Sequence, residues 1–250
     1  MSELKQPPLP LPTRTALGRN DYFVNETNAM AVVLIDSWRQ WPNGKLVLAG
    51  PKGSGKTHLA HVWATATGAR ILSATELPGA EIPELAVGAV CVEDVLAVAG
   101  DREAEEALFH LHNLCGAEGV PLMVTAEVPP AQWPLVLPDL KSRMEACQVA
   151  RLRDPDDGLL AAVLAKLFAD RQIVPAPDVI PYLVRRMPRS FAMAHEVVET
   201  LDGAAMASPK GVSRPLAARV LGTLAEWTED GSEGGPSVIK PSHKRPNKRP

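Results

Sequence analysis

The chain has little of what several functional classes require. Cysteine is scarce: Cys91, Cys115 and Cys147 are the only three in 250 residues, with no C-x-x-C pair. That argues against a disulfide framework or a thiolate zinc site and predicts reduced cytosolic thiols. The six histidines form no H-x-x-x-H or H-E-x-x-H cluster. His58 and His61 lie too close for two ligands on one helical face, so packing or solvation is expected of them. No stretch is long and apolar enough to span a bilayer and no signal peptide precedes the first domain, so the expected location is cytoplasmic. A dominant charge is lacking too: Lys+Arg 26 against Asp+Glu 29 argues against a globally basic DNA-coating protein, though local patches fit. Apolar residues are not lacking, and 46% of 250 residues can furnish one large domain or two smaller ones, each with a core.

Against this background one stretch stands out. Gly50-Pro51-Lys52-Gly53-Ser54-Gly55-Lys56-Thr57 fits G-x-x-x-x-G-K-[ST] without mismatch. Residues 45–49 before it read as a buried strand, and residues 58–64 after it as a helix. The glycines let the backbone fold tightly, so that its N–H groups point at phosphate oxygens. The helix N-terminus adds partial positive charge. Lys56 is expected to reach the β- and γ-phosphates and Thr57 to hold Mg²⁺. The motif predicts binding of a nucleoside tri- or diphosphate; it does not by itself predict hydrolysis.

The rest of the chain frames this loop. Residues 1–15 contain Gln6-Pro7-Pro8-Leu9-Pro10-Leu11-Pro12, and proline removes donors and fixes φ, which predicts an extended segment. On composition it reads either as a solvated tail or as a linear peptide anchored by Leu9 and Leu11. Aromatic and branched residues near 22–24 lead into a helix over 31–38 and either wall a base pocket or belong to the core. Asn43-Gly44 predicts a turn. Further strands are expected at 70–72, 88–94, 120–126 and 148–152, with a helix over 103–114 and residues 140–144 following a proline-rich loop. This alternation implies an α/β domain over 16–153, its parallel sheet covered on both faces. The strand at 88–94 ends in Glu93 and Asp94, the form of a Walker B element beside a P-loop magnesium; the same acids would also cap a following helix.

At Asp154-Pro155-Asp156-Asp157 the pattern changes. Asp154 suits an N-cap and Pro155 the first helical position. Leu159, Leu160, Val163, Leu164, Leu167 and Phe168 then recur at helical spacing, and helices are expected over 178–187, 190–207 and 213–227. Residues 154–228 therefore read as a small all-helical domain. Residues 229–250 have little apolar surface to bury and end in a Lys/Arg-rich run, expected to be a disordered basic tail that is solvated or touches nucleic-acid phosphates.

A P-loop α/β domain followed by a helical lid resembles the AAA+ ATPases, and the details resemble the branch of the DnaA initiators and the related Hda family. Gly50 through Leu59, including His58, is similar to the branch's GxxGxGKTHL. Phe23-Val24 with Asn28 resembles the segment at the mouth of its nucleotide pocket, and Thr125-Ala126-Glu127 falls at its sensor 1 turn. Leu137-Pro138-Asp139-Leu140-Lys141-Ser142-Arg143 resembles box VII, whose closing arginine is the arginine finger. Pro188-Arg189-Ser190 opens a helix where the family places the sensor 2 arginine. The resemblance covers about residues 16–225. After the lid no helix-turn-helix domain is evident, and Gln6-Pro7-Pro8-Leu9-Pro10-Leu11 is similar to the Q-x-x-L-P-L peptide that binds the DNA polymerase sliding clamp, which points to the Hda family.

The resemblance implies a regulator held on the DNA-loaded clamp (the polymerase III β subunit) through Gln6, Leu9, Pro10 and Leu11. It implies that Arg143 reaches the γ-phosphate of ATP held by DnaA and stimulates its hydrolysis, so that re-initiation of replication is repressed. DNA would be met through the clamp, and both a monomer and a nucleotide-dependent homodimer remain open. Two departures stand out. Glu93 occupies a position where the family has Asp; if Asp94 holds the metal instead, Val95 occupies the base position. Glu127 places an acid at the sensor. Both predict weak turnover of its own nucleotide, with ADP (or ATP) acting as a conformational ligand held by Lys56, Thr57 and Arg189. The rival readings are an autonomous DNA-stimulated ATPase, such as a helicase loader or transposition helper, and an inert clamp-tethered adaptor.

Overall fold

The computed structural model describes Val24, Glu26 and residues 28–205 and 211–230, without side chains for 225–230. Gln6, Leu9, Pro10, Leu11 and Phe23 lie outside the described residues, as does the basic end of the chain from 231.

Five strands form the centre: β1 (Lys45–Ala49), β2 (Arg70–Ser73), β3 (Val90–Glu93), β4 (Leu122–Ala126) and β5 (Gln148–Arg151). Their order is β2-β3-β4-β1-β5 and every pairing is parallel. β1 and β4 are buried at every position, which explains their continuous apolar runs: a strand covered on both faces has no side to give to water. Side chains still alternate. Val47 and Ala49 of β1 and Leu122 and Val124 of β4 enter one core, while Leu46, Leu48 and Met123 enter the other. Two helices, α1 (Ala29–Asp36) and α2 (Lys56–Thr67), contribute Ala31, Leu59 and Trp63 to the second core. The short α3 (Ile82–Leu85), α4 (Arg102–Ala117) and α5 (Pro138–Glu145) contribute Leu85, Leu108, Leu111, Leu140 and Met144 to the first. The predicted turn before β1 has both Asn43 (φ 54°) and Gly44 (φ 68°) in the left-handed region.

All later elements among the described residues are helical: α6 (Asp157–Asp170), α7 (Val179–Arg186), α8 (Phe191–Ala205) and α9 (Arg214–Asp230). The expected start of α6 at Asp154-Pro155 is corrected. Leu152 N–H still donates to Ala49 O at 2.8 Å, so the chain stays extended past β5. The residue before a proline avoids the helical region, and Asp156 supplies the cap, its Oδ1 accepting from Leu159 N–H at 2.7 Å.

The described residues divide into two compact units, one of those up to 163 with 188–194, the other of 164–187 with those from 195 on. The division falls inside α6 and α8. In the second unit Leu167, Phe168, Val179, Leu183, Val197, Leu201 and Val220 are buried. There the Arg214 guanidinium lies 5.2 Å from the centre of the Tyr182 ring, and Ala176 N–H donates to Val212 O at 2.9 Å.

Candidate functional site

β1 leads into residues 50–55, and these into α2. Both neighbours pin the root of the loop: Gly50 N–H donates to Ala126 O at the end of β4, 3.1 Å away, and Leu152 beyond β5 bonds Ala49. The loop thus lies at the C-terminal edge of the sheet, between a strand pair whose onward connections run in opposite directions, where open α/β sheets take their ligands. Side chains are excluded by the geometry. A Cβ on Gly50 would lie 2.8 Å from Leu152 Cβ, and one on Gly53 would collide with Ser190 Oγ. Gly53 (φ 74°) and Gly55 (φ 94°) use left-handed backbone. No side chain caps α2, so the N–H groups of its first turn keep their capacity for an anion.

Lys56 opens α2 and is buried. Its Nζ donates to Gly50 O at 2.7 Å and Pro51 O at 3.0 Å, holding the ammonium across the loop. Burial lowers its pKa, opposed by the charges of Asp94, Glu127 and Glu93, in that order. These three acids stand at or just beyond the ends of β3 and β4, near enough for their charges to act on the P-loop lysine. Asp94 takes a left-handed conformation (φ 54°), and its N–H donates to Thr125 Oγ1 at 3.0 Å. Glu93 Oε1 and Ser54 Oγ are buried without a hydrogen-bond partner. A buried acceptor and a buried hydroxyl left open beside a phosphate-type loop fit a nucleotide with its cation. No cluster of three or more His, Cys, Asp or Glu side chains suited to a metal occurs among the described residues. Mg²⁺ would accordingly be held by the Thr57 hydroxyl, one acid and phosphate oxygens rather than in a protein cage. Thr57 and Lys52 are exposed, and Pro51 and His58 are half-buried.

The start of α8 sits on this loop. Phe191 N–H donates to Gly53 O at 2.8 Å, and Ser190 Oγ accepts from Met193 N–H at 3.3 Å as the helix cap. Arg189, one residue earlier, pairs with Asp157 at the start of α6 (2.8 Å), both side chains half-exposed. Val24, expected near the pocket mouth, is exposed.

Arg143 lies elsewhere. It is exposed in the last turn of α5 and lines a cavity of about 300 Å³ together with Lys45 and His112. Lys45 begins β1 and the P-loop follows its end; at ~3.3 Å per residue, the five residues of β1 span roughly 16 Å. Arg143 therefore stands at the opposite edge of the sheet from the P-loop of its own chain. A carboxylate places it. Glu105 of α4, fully buried, accepts from Gly100 N–H (2.8 Å), Val136 N–H (3.0 Å) and Leu137 N–H (2.7 Å), fixing the loop that enters α5.

Sequence reasoning missed Glu105, Lys45, His112 and Ser190. Glu105 was legible in principle: it stands three residues before Leu108 and seven before His112, on the buried face of α4. His112 is pushed down to about 4, first by burial, next by the charge of Lys45; contact with Asn113 opposes this and Arg143 adds to it. The unfolded chain takes up a proton near 6.5 that the folded site refuses until about 4, so stability is full above 6.5 and falls as pH drops through that window. His112→Asn should flatten this slope in urea titrations across the window; parallel slopes for the two proteins would contradict it.

No protein-family model matches the chain. Among solved structures it is similar to domain III of the replication initiation protein DnaA from Thermotoga maritima, with 16% identity, a TM-score of 0.74, and 85% of this chain and 98% of that one covered. AMPPCP-bound DnaA from Aquifex aeolicus matches with 16% identity and a TM-score of 0.63, over 76% of this chain and 68% of that one. A replication initiator DnaA bound to AMPPCP and single-stranded DNA matches with 17% identity and a TM-score of 0.62, over 73% and 63%. The chain thus spans about two thirds of the length of these longer initiators. Its fold is that of DnaA domain III.

Proposed function

We propose that this chain is a nucleotide-binding regulator that acts on the ATP of a DnaA-type partner rather than chiefly on its own. The observation that carries this reading is the separation of Arg143 from the P-loop across the length of β1. An exposed guanidinium that cannot reach the phosphates of its own site is suited to phosphates presented by a neighbour. The chain's own nucleotide, ADP in this reading, lies on the N–H groups of 50–55 and α2, with Lys56 released from Gly50 O and Pro51 O to face phosphate. Mg²⁺ at Thr57 and Glu93 would screen phosphate charge. Arg189 and Ser190 connect that site to α8, so bound nucleotide selects one arrangement of the first turn of this helix on the loop. We further propose that α6–α9 act as the lid, and that Gln6, Leu9, Pro10 and Leu11 tether the protein to the DNA-loaded sliding clamp. Hydrolysis is thereby coupled to replication and re-initiation is repressed.

The test is release of γ-phosphate from DnaA–ATP with this protein, with and without clamp loaded on DNA. Acceleration that needs both is expected; its absence sinks the reading. The acids Asp94, Glu93 and Glu127, whose charges act on Lys56, favour a second reading, an autonomous DNA-stimulated ATPase, and substantial turnover by the purified chain would establish it instead. An inert adaptor would lose recruitment with Gln6→Ala and leave partner hydrolysis independent of Arg143.

The nucleotide site has its own measurement. ADP at a hundred times its Kd should stabilise the wild type by ~2.7 kcal/mol; a roughly hundredfold loss of affinity in Lys56→Ala would leave about 0.4 kcal/mol. In thermal melts the ADP shift should shrink to about one degree. An undiminished shift would remove Lys56 from nucleotide binding.

A further inference from the structure

The N-terminal edge of the sheet carries a pocket that the P-loop does not use. Its wall includes Asn43, Lys45, His112, Asn113, Gly116 and Arg143, and no carboxylate among the described residues lines it. Lys45 is 5% exposed, and its Nζ makes one long hydrogen bond, to Asn43 O at 3.4 Å. An ammonium has three donors and is strongly hydrated, so burial with one weak acceptor leaves most of its capacity unmet. Gly116 of α4 makes the room for it: a Cβ there would lie 2.8 Å from Lys45 Nζ. His112 beside it is 6% exposed, and its ring lies 3.5 Å from the Asn113 amide oxygen. Arg143 stands exposed at the rim.

A buried point charge, a planar guanidinium fork, neutral polar groups and no acid make a binding set for a multiply charged oxyanion. We propose that this pocket binds a phosphoryl group, with Lys45 as its buried cation and Arg143 as its rim cation. Two sources present that group: a nucleoside triphosphate held by a second protein docked on this face, or a free phosphate-bearing small molecule. The first source rests on the function proposed above; the second does not.

The probes are inorganic phosphate and tripolyphosphate, added to the full chain saturated with ADP so that the P-loop is occupied, at an ionic strength held constant with chloride. The melting temperature of the wild type should rise with either probe. Gly116→Ala should lose that rise, because the new methyl displaces the Lys45 ammonium. The backbone of Gly116 is not left-handed, and alanine favours a helix, so this variant should melt no lower than the wild type. Lys45→Met should repeat the loss, and a retained ADP shift shows that it is folded.

In a second arm the same variants enter the assay of partner-bound ATP hydrolysis. Lost stimulation in Gly116→Ala assigns the pocket to the partner's nucleotide; a lost phosphate response with unchanged stimulation assigns it to a free ligand. Equal responses of wild type and Gly116→Ala in both arms overturn the proposal. A wild type that fails to stimulate hydrolysis removes the proposed function, and the phosphate arm then decides the pocket alone.

Discussion

Arg143→Ala should lower clamp-dependent stimulation of DnaA–ATP hydrolysis by about 10³-fold or more, the scale of a guanidinium supplied in trans to a phosphoryl transition state. The effect arises because charge develops on the leaving bridging oxygen and is spread over the transferred group's oxygens only in the transition state, and a planar fork can meet two oxygens at once. Nothing else in the protein should change much. Arg143 is exposed at the end of α5, so the stability cost should lie within about 0.5 kcal/mol. The ADP shift in melting should survive, since the P-loop lies across the sheet. Arg143→Lys should restore only a small part of the rate, because an ammonium is a point charge without the fork. If Arg143→Ala keeps half or more of the wild-type stimulation while binding clamp normally, the finger assignment is wrong and the adaptor reading gains.

The second large effect concerns stability. Glu105→Ala should cost ~3–5 kcal/mol, the range for stripping the partner from a buried hydrogen-bonded charge network. The native carboxylate is fully buried and accepts from three backbone N–H groups, on Gly100, Val136 and Leu137. Without it those donors lose their partner, and each buried unpaired donor costs ~1–3 kcal/mol. For a chain of this size the melting temperature should fall by roughly 6–20 °C. Glu105→Gln should fall between: it keeps one acceptor oxygen but turns an NH₂ toward backbone donors. Urea unfolding at pH 7 reads both variants, and a loss under about 1 kcal/mol for Glu105→Ala would mean that the loop at 136–137 is held by other contacts. A linked outcome follows for activity. Because that loop leads into α5, Glu105→Gln at a temperature where it is folded should reduce stimulation of hydrolysis with ADP binding unaffected, since the carboxylate positions Arg143 without touching phosphate.

Much of the fold was open to reading because its signals are local. The apolar runs of β1 and β4 and the glycines between Gly50 and Gly55 specify strand, loop and helix within a window of a few residues. The start of α6 misled for the same reason. Asp154-Pro155 and Asp156-Asp157 both offer an acidic cap, and only the bond from Leu152 to Ala49, which keeps the chain extended beyond β5, selects the later one.

The sequence by itself determined that a phosphate-type loop opens α2, that acids close β3, and that strands alternate with helices before a purely helical region. Each of those statements rests on backbone geometry and side-chain period over neighbouring residues. Only the tertiary structure decided that the charges of Glu93, Asp94 and Glu127 act on Lys56, that Ser190 rests on Gly53, and that Glu105 holds residues 136–137. It alone placed Arg143 beside Lys45 and His112, at the far edge of the sheet from the P-loop. Those placements join residues tens of positions apart in the chain. They follow from the strand order and from which face each helix covers, neither of which leaves a periodic signal in the segments concerned.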